Sequence, residues 1–292
     1  MKVALLGSGG QVGNHVAHYL EKPHYIAWAP SSEELNLYDT PLVYDKICKE
    51  EPDLIINTAA YTNVDGAERY KELADKVNHR AAQEIAKAAK NLGVPLIHFS
   101  TDYVFSGSNE EKYTEDDPTS PLGVYGKTKL DGDEAILAIA PKGIIFRTSW
   151  VYDWRRTNFF LKMKFLMSTC ATVQVVADQF GIPNSAKLLA SKVYEYVEAR
   201  EFKSVEVVNL VCGEYTSWYQ FAKVIYSYLK GEKQVKIIPI STEEYLDEFA
   251  KDKLVAMRPR HTILDNSKAT RMGLTMPNWD VDFADFIQKP YK

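Results

Sequence analysis

Seven residues near the N-terminus restrict the fold more than any other part of the chain. Gly7-Ser8-Gly9-Gly10-Gln11-Val12-Gly13 follows an apolar run, Val3 to Leu6, and leads into a helix-forming stretch from Gln11 to Leu20. Gly7, Gly10 and Gly13 give the spacing G-x-x-G-x-x-G. Glycine serves three purposes there: a tight strand-to-helix turn, a backbone that approaches a pyrophosphate with no Cβ in the way, and close packing of helix on strand. The helix start adds unpaired N–H groups and the positive end of the helix dipole. A strand–turn–helix unit of this kind predicts a parallel sheet that binds a dinucleotide at its strand ends.

The rest of the first half repeats the alternation. Tyr25 to Trp28, Leu54 to Ile56, Val94 to Phe99 and Gly143 to Phe146 read as strands. Ala81 to Leu92 is rich in helix formers and stops at Gly93, the usual residue just past a helix end. Strands apolar on both faces, alternating with helices, predict an α/β fold with a Rossmann-type doubly wound parallel sheet. We assign residues 1–150 to this NAD(P)-binding unit and 151–292 to a smaller C-terminal α/β substrate lobe. In the lobe strands are sparse: Val173 to Val176, Val205 to Leu210 and Val235 to Ile240. The two units are expected to interleave, with 205–210 returning to the sheet. Ser217 to Lys230 reads as an amphipathic helix, and the spacing of Trp218, Phe221, Ile225, Tyr228 and Leu229 places its aromatics in the core.

Composition narrows the class further. With 292 residues, 46% hydrophobic and 25% charged, the chain is neither disordered nor a coiled coil. No uninterrupted apolar run reaches the roughly 18 residues that span a bilayer. Met-Lys runs straight into Val3, without the longer apolar stretch of a secretion signal. Cys48, Cys170 and Cys212 are too far apart for a disulfide frame or a metal pair, and the six histidines show no metal spacing. A net charge of −4 argues against nucleic acid as a partner. The expectation is a cytoplasmic protein with a small-molecule substrate, no metal and no membrane partner; a homodimer is compatible with the sequence.

The fingerprint predicts an acidic residue about 20 positions beyond the turn, to hold the ribose hydroxyls. This chain has Ala27-Trp28-Ala29-Pro30-Ser31-Ser32 there, with no carboxylate before Glu33. Small hydroxyl side chains remove a repulsion against a 2′-phosphate, which favours NADP(H), with NAD(H) as the second cofactor. No arginine in this stretch clamps the phosphate.

Two further motifs carry chemistry. Tyr125-Gly126-Lys127-Thr128-Lys129 enters a helical stretch read as Lys127 to Ala140. Residues four apart share a helix face, so the Tyr125 phenol and the Lys129 ammonium can lie side by side. A free phenol titrates near pH 10, and a neighbouring cation draws it toward neutrality. Ser100-Thr101-Asp102-Tyr103-Val104-Phe105 begins where the fourth strand ends, the edge at which such sheets bind ligands. The Thr101 hydroxyl can there support a carbonyl oxygen that gains negative charge.

These motifs carry a resemblance, together with Pro52 to Thr62, Val64-Asp65, Ala67-Glu68, Val77-Asn78, Pro121 to Lys129, Arg147 to Tyr152 and Asp178 to Pro183. The sequence resembles the extended short-chain dehydrogenase/reductases and, within them, the dTDP-4-dehydrorhamnose reductase family, over nearly its whole length. The resemblance implies Tyr125 as general acid, Lys129 as ribose ligand and modulator of Tyr125, and Thr101 as the group polarising the ketone. It implies that Thr101 and Asp102 touch the sugar and that Trp150 packs on the substrate. Gln11, Val12, Asn36, Leu37, Ala59, Ala60 and Tyr61, with Tyr125 and Lys129, would line the cofactor. The implied reaction is hydride delivery from NAD(P)H to C4 of a dTDP-4-keto-6-deoxyhexose, giving dTDP-rhamnose. Other readings are another nucleotide-sugar reductase or epimerase, or a non-catalytic NADP-binding subunit like the β-subunit of methionine adenosyltransferase.

The sequence departs from the family's pattern at Ala29, Asn36, Asn184 and Asp153-Trp154-Arg155-Arg156-Thr157-Asn158, where a glycine-containing turn is usual, and again after Arg258-Pro259. From Trp154 to Ala177 there is no acidic residue, while Arg155, Arg156, Lys162 and Lys164 are present. A local positive stretch in an acidic chain suits a diphosphate ligand, or is an ordinary basic helix face.

Overall fold

The alternating apolar runs do build a parallel sheet. The structure is a computed structural model and describes residues 1–199, 202–229, 234–251 and 254–288. Its strands are β1 (Lys2–Leu6), β2 (Ile26–Trp28), β3 (Leu54–Asn57), β4 (Leu96–Thr101), β5 (Gly143–Thr148), β6 (Val151–Tyr152), β7 (Thr172–Val176), β8 (Phe180–Gly181), β9 (Asn184–Ser185), β10 (Glu206–Asn209), β11 (Thr216–Ser217) and β12 (Lys236–Ile240). Six form the main sheet in the order β2-β1-β3-β4-β5-β10, every pair parallel. The chain moves outward from β1 to β2, then returns to place β3 on the other side of β1. That reversal parts the connections leaving the carboxyl ends of β1 and β3 and opens a crevice between them.

Helices cover both faces: α1 (Gln11–Tyr19), α2 (Thr40–Glu50), α3 (Val64–Arg69), α4 (Lys71–Asp75), α5 (Ala81–Leu92), α6 (Val124–Ile139), α7 (Phe159–Thr169), α8 (Ala186–Ala199), α9 (Trp218–Leu229), α10 (Thr242–Phe249), α11 (Ser267–Arg271) and α12 (Trp279–Gln288). Along β1, Val3 and Leu5 join one apolar core while Ala4 and Leu6 join the other. Burial on both faces is why these strands read as unbroken apolar runs. Gly93, at φ +70°, closes α5 where the sequence predicts. The expected end of α9 at Lys230 lies outside the described residues.

One boundary differs from the sequence reading in a way that matters. The helix expected from Lys127 begins at Val124, so Tyr125 sits in its first turn. Glu68 on α3 accepts the Val124 N–H at 2.8 Å. A carboxylate from another element thereby caps a helix start that offers no side-chain cap of its own.

Beyond β5 the chain forms small parallel and antiparallel pairs, β6 with β9, β7 with β12 and β8 with β11. The stretch 205–210 holds β10, which lies parallel to β5 at the edge of the main sheet. All three cysteines are free thiols. Among the described residues no helix is long and apolar enough to cross a membrane.

Candidate active site

A cleft of about 1050 Å³ opens at the carboxyl ends of the main strands, with the glycine turn at one end. Gly7 has φ +84°, and a Cβ there would stand 2.6 Å from the Ala59 nitrogen. A Cβ on Gly13 would collide with the Gly7 carbonyl and reach within 2.5 Å of Thr58 Oγ1. The turn is therefore pressed against the end of β3, with no room for side chains. Gly10 is the N-cap of α1 and makes no side-chain cap bond, so the first-turn N–H groups face the cleft without an internal acceptor. Such a cradle fits the pyrophosphate of a dinucleotide.

Gly7, Gly10, Gln11, Val12, Asn36, Leu37, Ala59 and Ala60 all line the cleft, as do Ala29 to Ser32. Gly13 and Tyr61 are not among the lining residues. Gly13 acts through packing. Tyr61 is held by its backbone, its N–H donating to Asn78 Oδ1 at 2.8 Å, while its hydroxyl lies beside Gly66. Asn78 occupies a π-helical turn, Lys76–Arg80, and also donates to Thr128 Oγ1 on α6 at 3.1 Å. It thus joins the cofactor wall to the helix carrying Tyr125. Asn36 Oδ1 accepts the Tyr38 N–H at 3.0 Å, so its amide oxygen serves a local turn. Glu34 lines the cleft, but its carboxylate accepts the Ser31 N–H at 2.8 Å. Hydrogen bonds from Ser31 hold that carboxyl below its usual range.

Thr101, Tyr125 and Lys129 converge on the same cleft. Lys129 is buried, its Nζ donating to the Phe99 carbonyl at 2.6 Å and standing 3.1 Å from His98 Nε2. Asn57 Nδ2 donates to His98 Nδ1 at 3.0 Å, because its Oδ1 is taken by the Ala59 N–H. Burial, opposed by the charge of Asp133, pushes Lys129 down to about 8. Burial pushes the Tyr125 phenol up to about 12, opposed by a hydrogen bond with Thr101. The lowering of Tyr125 expected from Lys129 is therefore not what the structure shows; Lys129 is tied to β4 and the opposing influence comes from Thr101.

Thr101 donates to Asp102 Oδ1 at 3.0 Å and accepts the Tyr103 N–H at 3.2 Å. Thr262 donates to the other oxygen of Asp102. Burial raises Asp102 to about 7 against the hydrogen bonds from Thr262 and Thr101. Asp102 lines the cleft, yet both its oxygens are committed to hydroxyls, and its direct effect is to orient Thr101. Sequence reasoning missed Thr262, which no local motif marks.

Trp218, assigned to the core from its helical spacing, does pack against it, and it also lines the cleft and stacks on Trp150, with ring centroids 3.3 Å apart and planes 6° from parallel. Tyr228, given the same assignment, is instead exposed. Trp150 itself has φ +44° and packs against Gly181, where a Cβ would strike its indole. Of the four cations between Trp154 and Ala177, Arg156 lines the cleft, while Lys164 lies 4.8 Å over the Trp154 ring. Asp75, His79 and Asp131 bring ligand-type atoms within 4.8 Å of one another. Arg80 and Lys127 already pair with the two carboxylates, which makes this an ion-pair network.

A family model described as the RmlD substrate binding domain matches residues 1–291. The chain belongs to that family. A dTDP-4-dehydrorhamnose reductase of Salmonella typhimurium is 35% identical over 287 residues, covering 96% of this chain and 95% of that protein. A dTDP-4-dehydrorhamnose reductase of Clostridium acetobutylicum has a crystal structure that superposes with a TM-score of 0.90 at 31% identity, covering 99% of both chains. The Bacillus anthracis dTDP-4-dehydrorhamnose reductase, solved in complex with NADP, gives 0.89 at 30% identity over 99% of each. The family's overall architecture is thus kept at low identity.

Proposed function

We propose that the chain is a cytoplasmic NADPH-dependent reductase, also able to use NADH, that converts the C4 ketone of a dTDP-4-keto-6-deoxyhexose to the alcohol of dTDP-L-rhamnose. Residues 1–150 would hold the cofactor and 151–292 would shape the sugar-nucleotide end. The observation that carries this reading is the convergence of Thr101, Tyr125 and Lys129 on the cleft that begins at the glycine turn.

When bound, the reduced nicotinamide supplies the hydride that becomes the new C4–H bond. The protein must supply a proton to the oxygen, and Tyr125 is suited to that direction. A phenol raised to about 12 stays protonated at neutral pH, and an aliphatic alkoxide is more basic still. Thr101 would turn its hydroxyl from Asp102 toward the same oxygen. The Lys129 ammonium would hold the ribose hydroxyls next to the reacting carbon.

NADPH oxidation followed at 340 nm with dTDP-4-keto-rhamnose as substrate tests the assignment. Turnover supports it, and faster turnover of UDP- or GDP-linked ketosugars would reassign the substrate. A protein that binds NADPH and oxidises it with none of these would instead be a binding subunit.

Two further outcomes follow from the geometry. Lys129 carries its charge below its pKa of about 8, so kcat/KM should fall as pH rises through that value. Lys129→Arg, whose guanidinium stays charged, should lose that alkaline limb; a wild-type profile flat from pH 7 to 10 would remove Lys129 from the role. Trp218→Ala deletes one face of the tryptophan stack. It should raise KM for the sugar nucleotide by about tenfold, on the scale of one aromatic contact, and leave NADPH affinity unchanged. Unchanged KM in steady-state kinetics would return Trp218 to a packing role.

A further inference from the structure

The 153–158 segment leaves the substrate side of the cleft and folds back over the glycine turn. Three side chains tie it there. Asp153 meets His15 Nε2 on α1 at 3.0 Å, both groups buried. Asn158 Nδ2 lies 2.9 Å from Gln11 Oε1 and 2.8 Å from the Asp153 carbonyl, with the Arg155 and Arg156 carbonyls at 3.2 and 3.3 Å. Its oxygen meanwhile accepts the Leu161 N–H and caps α7. One amide therefore organises the segment and joins it to the first turn of α1.

The third tie is Arg156. Its Nε donates to the Gly9 carbonyl at 2.8 Å. One terminal nitrogen stands 3.2 Å from the point a Gly9 Cβ would occupy. The residue has φ +61°, a region side chains rarely adopt, and the Asn158 contacts hold it there. Among the described residues, the terminal amino groups of Arg156 have no hydrogen-bond partner. Among those lining the cleft, the cations are Lys129, buried below Tyr125, and Arg156, exposed above the phosphate turn.

A guanidinium anchored through Nε, with its terminal amino groups uncommitted, next to an uncapped helix start is an anion site with two independent sources of positive potential. We propose that Arg156 binds a phosphate of the dinucleotide through its terminal amino groups, and that the 153–158 segment is the strap that carries it over the glycine turn. This rests on the cofactor assigned above. The strap begins five residues beyond the end of β5, immediately after Trp150 and β6, so a cofactor held by Arg156 would also fix the segment that forms the substrate side. A guanidinium can meet phosphate oxygens with two parallel hydrogen bonds, which a lysine can replace only as a point charge.

Binding alone tests this, without sugar substrate. NADPH and NADH are titrated into the full chain by calorimetry, with wild type, Arg156→Ala, Arg156→Gln, Arg156→Lys and, as a control on the same segment, Arg155→Ala. Loss of the charge-assisted bonds should raise the NADPH Kd by a factor of about 10 to 100 in both Arg156→Ala and Arg156→Gln. Arg156→Lys should recover part of the affinity, and Arg155→Ala should stay within about twofold. The salt dependence of NADPH binding should become shallower without Arg156. Equal losses for NADPH and NADH place the contact on the pyrophosphate, and a loss confined to NADPH places it on the 2′-phosphate; either supports the proposal. Should Arg156→Ala unsettle the strap, seen as a lowered melting temperature without ligand, the glutamine variant reads the charge by itself. An NADPH Kd unchanged in Arg156→Gln overturns the proposal. A wild type that fails to bind NADPH overturns the reductase reading beneath it.

Discussion

A Tyr125→Phe protein should bind NADPH much as the wild type does and turn over about 10²- to 10⁴-fold more slowly, the usual worth of a positioned proton donor. The substitution removes one oxygen and leaves the ring. Tyr125 packs edge-on against Tyr103, with centroids 5.7 Å apart, and phenylalanine keeps that contact. The glycine turn, Lys129 and the Asn78 bridge are untouched, so a change in NADPH Kd beyond a few-fold is not expected. Single-turnover rates and calorimetric titration separate the two quantities. If the variant kept more than a tenth of the wild-type rate, the proton would have to come from another group, and Tyr125 would lose its assignment.

The second large effect is on stability. Asp133→Ala should destabilise the protein by about 3–5 kcal/mol, the range for breaking a buried ion pair from one side. Asp133 is fully buried on α6, where Ser100 Oγ donates to Oδ2 at 2.7 Å and Arg147 Nε approaches the same oxygen at 3.4 Å. Arg147 is 4% exposed, with its guanidinium 5.4 Å over the Phe105 ring. Removing the carboxylate leaves that cation buried without a counter-charge. Asp133→Asn keeps an acceptor for Ser100 and should cost less, though it too uncovers the arginine. Urea denaturation measures both. Asp133 also supports the charge on Lys129, so the asparagine variant should move the alkaline limb of activity below pH 8. A loss under 1 kcal/mol in Asp133→Ala would mean that Arg147 is solvated or neutralised in another way.

The sequence shows clearly the features that are made within one turn of chain. Gly7 to Gly13 form a single strand-to-helix connection, and Tyr125 and Lys129 share one helical turn, so residue spacing alone places them. Other features depend on distant partners. Arg156 meets Gly9 across 147 residues and Thr262 meets Asp102 across 160, and neither has a local pattern to betray it. The early start of α6 depends on Glu68, 56 residues upstream of Val124. Trp218 is half legible for a different reason. Helical periodicity tells which side of α9 is apolar and packs on the core, but not that its first residue also reaches the cleft. The tuning of Tyr125 is not legible because spacing shows that Lys129 shares its helix face, but not the burial that raises the phenol.

The position of β10 imposes an order on assembly. Five strands of the sheet and the whole glycine turn are synthesised before residue 150, yet β5 gains its outer neighbour only when Glu206–Asn209 arrives. All six residues of β5 are buried in the finished protein. A nascent chain that has just completed β5 therefore carries an apolar strand with one row of N–H and C=O groups unmatched, open to addition by a strand from another molecule. The α7 and α8 helices must be made in that interval, so the seam that seals the nucleotide half is delivered by the half that follows it. A fragment ending at residue 150 would inherit the cradle together with this exposed rim, and aggregation is the failure its architecture invites.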